Sequence, residues 1–141
     1  MKAPGLITLL GCLAIWPVTG AEAPLVGPSG KSVSETKFKN VGVEEFAKLR
    51  AENSNRVLDV RTPAEFAKGH LLGALNIDVN GQDFEKNIAA LDKSKTYLVH
   101  CAGGFRSAKA CEKMSHLEFR NLYNLQGGFK AWEKAGKPVE K

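Results

Sequence analysis

The run Tyr97-Leu98-Val99-His100-Cys101-Ala102-Gly103-Gly104-Phe105-Arg106-Ser107 constrains this chain more than any other stretch. Tyr97 to His100 is short, apolar and rich in strand formers, so it reads as a buried strand. Gly103 and Gly104 then allow a tight turn, because glycine tolerates the positive-φ conformations that such turns demand. From about Arg106, the residues Ala108, Ala110, Cys111, Met114 and Leu117 recur on one side of a predicted helix. Cys101 therefore stands where a strand hands over to a helix. A thiolate there faces the N–H groups of the turn and the positive end of the helix dipole, which favours the anion and lowers the thiol pKa. The residues read as a nucleophile in a preformed anion cradle. The alternative, an inert buried cysteine, fits poorly with a position just before Ala102-Gly103-Gly104 at a strand end, and an ordinary strand-to-helix turn explains the two glycines but not the cysteine beside them.

The rest of the chain alternates strands with helices. Phe38–Val41 reads as an edge strand and Val43–Ala51 as a helix. Val57–Val60 is a continuous apolar strand, the pattern of a parallel sheet covered on both faces. Thr62-Pro63-Ala64-Glu65 has the form of a helix start, with Thr at the N-cap, Pro first and Glu third. A strand over Ala74–Ile77, a helix over Phe84–Leu91, a strand over Leu122–Leu125 and a helix over Gly128–Lys134 follow. The alternation implies an α/β fold with a mainly parallel sheet. It puts the Cys101 loop at the carboxyl end of a strand, where such sheets bind their ligands.

A Cys followed by a Gly-rich turn, Arg and Ser resembles the rhodanese (sulfurtransferase) family. Val57-Leu58-Asp59-Val60-Arg61 with Glu65-Phe66, Gly69-His70 and Gly73-Ala74-Leu75-Asn76-Ile77 is similar to its N-terminal signature. Leu125-Gln126-Gly127-Gly128-Phe129-Lys130-Ala131-Trp132 is similar to its C-terminal one. The likeness runs from about Lys37 to Lys137. It implies an α/β, rhodanese-like three-layer fold with a mainly parallel central sheet and helices on both faces, here one domain over residues 36–141. It also implies a persulfide on Cys101: the thiolate attacks the outer sulfur of a small anionic donor such as thiosulfate, sulfite leaves, and the sulfur passes to cyanide or a thiol. The chain departs from the family at Leu71-Leu72, where a Pro is usual, at Asp78, where Pro often follows Asn-Ile, and at Glu118, where glycine commonly precedes the aromatic. Ala102 and Phe105 also make the loop less basic than in strongly thiosulfate-selective members.

Around Cys101, the backbone N–H groups of Ala102, Gly103, Gly104, Phe105, Arg106 and Ser107 are expected to hold a persulfide anion or an incoming oxyanion. Arg106 has two readings: its planar fork binds the sulfonate end of the donor, or it forms a salt bridge that shapes the loop. Asp59, Arg61, Glu65 and His70 read as structural support. Arg61 and Glu65 are placed to pair, and Asp59 to bond backbone groups near the loop. His70 makes a hydrogen bond that holds the fold, with help in proton transfer as the alternative. His100 reads as a strand-end residue and His116 as a surface one. Cys111 shares an apolar helix side with Met114, so core packing is expected; a Cys101–Cys111 disulfide is the alternative in an oxidising compartment. No His/Cys spacing resembles a zinc site, and neither metal nor cofactor is expected.

With 141 residues the chain is long enough for one domain and one core. The net charge is +5, but the basic residues are scattered and interleaved with Asp and Glu, which argues against a nucleic-acid stripe. Met1–Ala21 reads as a secretory signal: Lys2 at the start, an apolar run over Gly5–Trp16 too short to span a bilayer comfortably, and small residues ending at Ala21. Periplasmic or secreted location follows, with no membrane span after removal of the signal; a lipid anchor on Cys12 is the alternative. Residues 22–35, rich in Pro, Gly and Ser, read as a flexible tether. The favoured function is an exported thiosulfate sulfurtransferase. One competitor is a persulfide carrier or redox module acting with a protein partner. The other is a phosphatase or arsenate reductase. Against it stands the loop length, one residue shorter between thiol and guanidinium than in the Cys-based phosphatases it resembles. That draws the N–H ring closer to the sulfur, leaving room for a terminal sulfur atom but less for a tetrahedral phosphate or arsenate.

Overall fold

The structure, a computed structural model, describes residues 37–141. The signal segment, the tether and the alternative anchor at Cys12 lie outside them. Five strands form one parallel sheet: β1 (Lys39–Val41), β2 (Arg56–Asp59), β4 (Leu75–Asn76), β5 (Thr96–His100) and β6 (Asn121–Leu125), in the order β1-β6-β5-β2-β4. Five helices intervene: α1 (Val43–Arg50), α2 (Pro63–Lys68), α3 (Phe84–Ala89), α4 (Phe105–His116) and α5 (Gly128–Lys134). The apolar run Tyr97–Val99 occupies the middle strand, β5, buried on both sides.

Alternation along each strand divides the core into two layers, since successive side chains point to opposite faces. Leu58, Tyr97, Val99 and Leu122 pack with Phe84 and Ile88 of α3 and Ala110, Cys111 and Met114 of α4. Val57, Leu98 and Leu125 pack with Phe46 of α1 and Phe129 and Trp132 of α5. The expected three-layer α/β arrangement, with a parallel sheet between two helical layers, is what the chain adopts. The ring pairs Tyr97–Phe119 (5.4 Å between centroids) and Phe46–Trp132 (5.9 Å) meet edge-on, one in each layer. Such contacts contribute roughly 0.5–1.5 kcal/mol each beyond the area buried.

Helix α2 starts as its sequence predicts. The Thr62 hydroxyl accepts from the Glu65 N–H (3.2 Å), and the Glu65 carboxylate accepts from the Thr62 N–H (3.1 Å), with Pro63 at the first helical position. Element ends differ from expectation by one or two residues: β1 begins at Lys39, the strand expected over Ala74–Ile77 pairs only at Leu75–Asn76, and α3 ends at Ala89. One feature was not expected. Strands β3 (His70–Leu71) and β7 (Val139–Glu140) pair antiparallel, and the Trp132 Nε1–H donates to the Pro138 carbonyl (3.0 Å), tying the chain's end onto α5. With two residues per strand, no periodicity marks this pair in the sequence.

All five strands of the main sheet run the same way, so the loops after β1, β2, β4, β5 and β6 gather at one edge. The register aligns Asp59 with His100 and Val99 with Asn124. These three strand ends converge on Cys101.

Candidate active site

Cys101 follows β5 directly and is 1% exposed. The Gly104 N–H donates to its Sγ at 3.1 Å, and the Ser107 hydroxyl lies at 3.4 Å. Burial alone would raise this thiol's pKa. The Ser107 hydroxyl and the backbone N–H groups of Ser107, Gly103 and Gly104 outweigh it, and the thiol is held below its ordinary value. The glycine pair divides its labour: Gly104 takes the left-handed conformation, with φ 98°, as the N-cap of α4. Gly103 has no positive φ, so only one of the two is required by backbone conformation. A Cβ on Gly104 would also come within 3.1 Å of the Leu125 carbonyl and 3.2 Å of the Gly127 nitrogen.

The loop is held from behind by β6 and α5. The Phe129 N–H donates to the Cys101 carbonyl (2.7 Å), and the Lys130 N–H to the Ala102 carbonyl (3.1 Å). Asn124, 3% exposed, donates through Nδ2 to the Gly104 carbonyl (3.2 Å) and to Asn40 Oδ1 (2.8 Å). Its grip on the Gly104 carbonyl fixes the Gly104–Phe105 peptide unit, where the loop passes into α4. Asn124, Gly128 and Phe129 were missed as site residues. The signal available for the first was an asparagine inside the otherwise hydrophobic strand Leu122–Leu125, where a buried amide requires a polar partner.

Arg106 grips Glu65 with both terminal nitrogens, Nη1–Oε2 at 2.9 Å and Nη2–Oε1 at 2.8 Å. Of its two sequence readings, the geometry displays the salt bridge that shapes the loop. The expected Arg61–Glu65 pair does not form. Arg61 and Asp59, two apart in an extended segment, lie on one side and pair with each other instead, Nη2–Oδ2 at 2.6 Å, with a further bond from Arg61 Nη2 to the Gly69 carbonyl (2.7 Å). Glu65, oriented by its capping box, is left to Arg106. Asp59 accepts the Arg61 N–H (3.0 Å), so its backbone bond lies in its own strand exit and not in the Cys101 loop.

His100 is fully buried. Nδ1 lies 3.3 Å from the Cys101 carbonyl and Nε2 3.6 Å from Asp59. Burial pushes its pKa down to about 4, against the pull of Asp59, so the ring is neutral at pH 7. Far from a mere strand end, it backs the Cys101 peptide. His70 stacks on Phe66, lies 2.9 Å from the Phe66 carbonyl through Nδ1 and faces Glu140 at 3.4 Å, all contacts that hold the fold. His116 is exposed. Cys111 is buried in the α3/α4 layer, and burial, followed by the charge of Cys101, pushes its pKa up to about 12. Both cysteines are free thiols. Among the described residues, no cluster of three or more His, Cys, Asp or Glu is placed to hold a metal ion, and no helix is long and apolar enough to cross a membrane.

Two measurements follow from these contacts. The rate of Cys101 alkylation against pH is expected to have its midpoint below the ordinary thiol value of about 8.5, and Ser107→Ala is expected to move that midpoint up. A midpoint at or above the ordinary value would remove the electrostatic argument. The Arg106 guanidinium holds the Glu65 carboxyl down at about 2, against an ordinary 4.5. A depressed carboxyl stabilises the fold above its unfolded pKa and loses that contribution as pH falls through the folded one. The advantage of the parent over Glu65→Gln should therefore be complete above pH 4.5 and fade towards pH 2. Both partners are about one-third exposed, which limits it to about 1 kcal/mol. A stability difference that ignores pH over that window would show that the ion pair contributes nothing.

Residues 42–135 match the family of rhodanese-like domains. Over 96 residues, 67% of this chain and 84% of the relative, the sequence is 36% identical to thiosulfate sulfurtransferase GlpE of Pseudomonas aeruginosa. It is 34% identical to the chloroplastic thiosulfate sulfurtransferase 16 of Arabidopsis thaliana over 96 residues, 61% of this chain and 80% of that one. Among solved structures, a rhodanese-related protein from Thermoplasma volcanium is similar with a TM-score of 0.65 at 29% identity, over 72% of this chain and 97% of that one.

Proposed function

From the premise that this chain belongs to the rhodanese-like domain family, a family of sulfurtransferases, we propose that it moves a sulfane sulfur from thiosulfate or a similar donor to cyanide or a thiol through a persulfide on Cys101. The observation that carries this reading is the Cys101 sulfur itself, with the Gly104 N–H at 3.1 Å and the Ser107 hydroxyl at 3.4 Å. The thiolate attacks the outer sulfur of thiosulfate. The Sγ–S bond forms, the donor's S–S bond breaks, and its electron pair leaves with sulfite. The persulfide anion then carries its charge on the terminal sulfur. The N–H groups that lower the thiol pKa are directed at the Cys101 sulfur, one bond from where that charge develops, which favours it in a preorganised setting. Cyanide attacks the terminal sulfur, thiocyanate departs, and the Cys101 thiolate returns.

The test is the intact mass of the reduced protein after incubation with thiosulfate. A gain of one sulfur atom that cyanide reverses, without hydrolysis of aryl phosphates, is the expected result. Hydrolysis of aryl phosphates through Cys101 with no sulfur uptake would establish the phosphatase reading instead.

A further inference from the structure

Beside the cradle stands an aromatic side chain that is almost fully exposed. Phe105, the first residue of α4, is 88% exposed; the next most exposed large hydrophobic among the described residues, Leu75, is at 49%. Single exposed apolar residues are ordinary, but this one borders the thiol loop: a Cβ on Gly103 would touch its ring at 4.0 Å. Lys109 lies one turn along the same face of α4 and is exposed. Lys130 flanks the loop from α5, where its N–H bonds the Ala102 carbonyl, and is exposed too. Lys113 and Lys137 pair with Glu85 and Glu44, whereas neither Lys109 nor Lys130 joins an ion pair among the described residues. The cation nearest the cradle is differently placed. The Arg106 charge is met by Glu65, and it is felt by Cys101 and then Asp78. A small dianion entering the loop thus finds N–H donors but a guanidinium already gripped by the Glu65 carboxylate.

We propose that the sulfur donor to Cys101 is a protein persulfide on an acidic surface, with an apolar site that seats Phe105 and carboxylates that meet Lys109 and Lys130. The proposal rests on the persulfide reading above. Complementary charge at such a rim steers encounter and sets partner choice. In the transfer, the Cys101 thiolate attacks the outer sulfur of R–S–SH. The new Sγ–S bond forms as the donor's S–S bond breaks, and the electron pair leaves on R–S⁻. The transferred sulfur keeps its proton until it ionises in the cradle, and nothing is oxidised or reduced overall.

Synthetic peptides test this on the intact protein. Each carries one cysteine persulfide beside a leucine, flanked by two glutamates in one peptide and two lysines in the other, and loading of Cys101 is followed by mass. The acidic peptide is expected to load about tenfold faster than the basic one, and faster than thiosulfate at equal concentration. Lys109→Glu with Lys130→Glu should invert the peptide preference. Phe105→Ser should slow the leucine peptide more than a peptide with serine in its place, a coupling that a merely structural effect would not produce. Equal loading by the two peptides, or faster loading by thiosulfate, overturns the docking proposal and leaves the persulfide standing. If neither peptide nor thiosulfate adds sulfur to the protein, the persulfide reading itself fails.

Discussion

Cys101→Ser is expected to abolish sulfur uptake from thiosulfate and all turnover to cyanide, a loss of a thousandfold or more, while Cys111→Ala keeps over half the activity. The contrast comes from environment, not from residue type. Both cysteines are buried, at 1% and 0% exposure. Cys101 has hydrogen-bond donors aimed at its sulfur, and they hold its pKa down despite burial. Cys111, one turn beyond Ser107 on α4, has only side chains of the apolar layer around it, and its pKa is pushed up to about 12. At neutral pH it carries essentially no thiolate, so it supplies no nucleophile. A serine hydroxyl at position 101 fits the same donors but does not ionise near neutral pH, and it forms no persulfide. The intact mass after thiosulfate and the rate of thiocyanate formation check both variants. Equal loss in a folded Cys111→Ala protein would overturn the core-packing assignment of Cys111.

The parts of this site that can be read along the chain are those made by neighbours in the chain. The apolar strand Thr96–His100, the Gly104 turn and the start of α4 are local, and each residue type there has one conformational reason. The Thr62–Glu65 capping box is likewise local, three residues across. Where sequence reasoning failed, the contact crosses the fold. Glu65 lies four residues from Arg61 and forty-one from Arg106, yet it pairs with the latter. Proximity along the chain suggested one partner, and strand alternation assigned Arg61 to Asp59. Asn124 reaches Gly104 only because β6 lies next to β5, in a register that no residue of either strand announces alone. The fold class was legible because alternation of strand and helix survives small errors at element ends. The support behind the thiol was not, because it is set by which strands become neighbours.

Gly128→Ala should be the most damaging change outside the thiol itself. Helix α5 begins at Gly127-Gly128, and its first N–H groups reach the Cys101 and Ala102 carbonyls. That approach leaves no space: a Cβ on Gly128 would run into the Cys101 carbonyl oxygen and sit 2.7 Å from the Ala102 carbonyl carbon and 2.8 Å from its oxygen. These are backbone atoms, with no flexible side chain to swing aside. The residue also holds φ at 59°, which costs an L side chain about 1–2 kcal/mol by itself. Gly136 separates the two effects. Its φ is 68°, but a Cβ there meets nothing within 4 Å, so Gly136→Ala should lose only the conformational part. Gly128→Ala should lose about 3 kcal/mol or more, a fall in Tm of over about 10 °C for a domain of this size. In whatever fraction stays folded, α5 must back away from the loop, and the Phe129 bond to the Cys101 carbonyl lengthens or breaks. The midpoint of Cys101 alkylation should then rise towards the ordinary thiol value, and uptake of sulfur from thiosulfate should fall with it. Gly136→Ala should leave both unchanged. Thermal unfolding and the alkylation profile of the two variants decide the matter. If they lose the same stability and keep the same midpoint, the close approach of α5 is no part of what sets the thiol's environment.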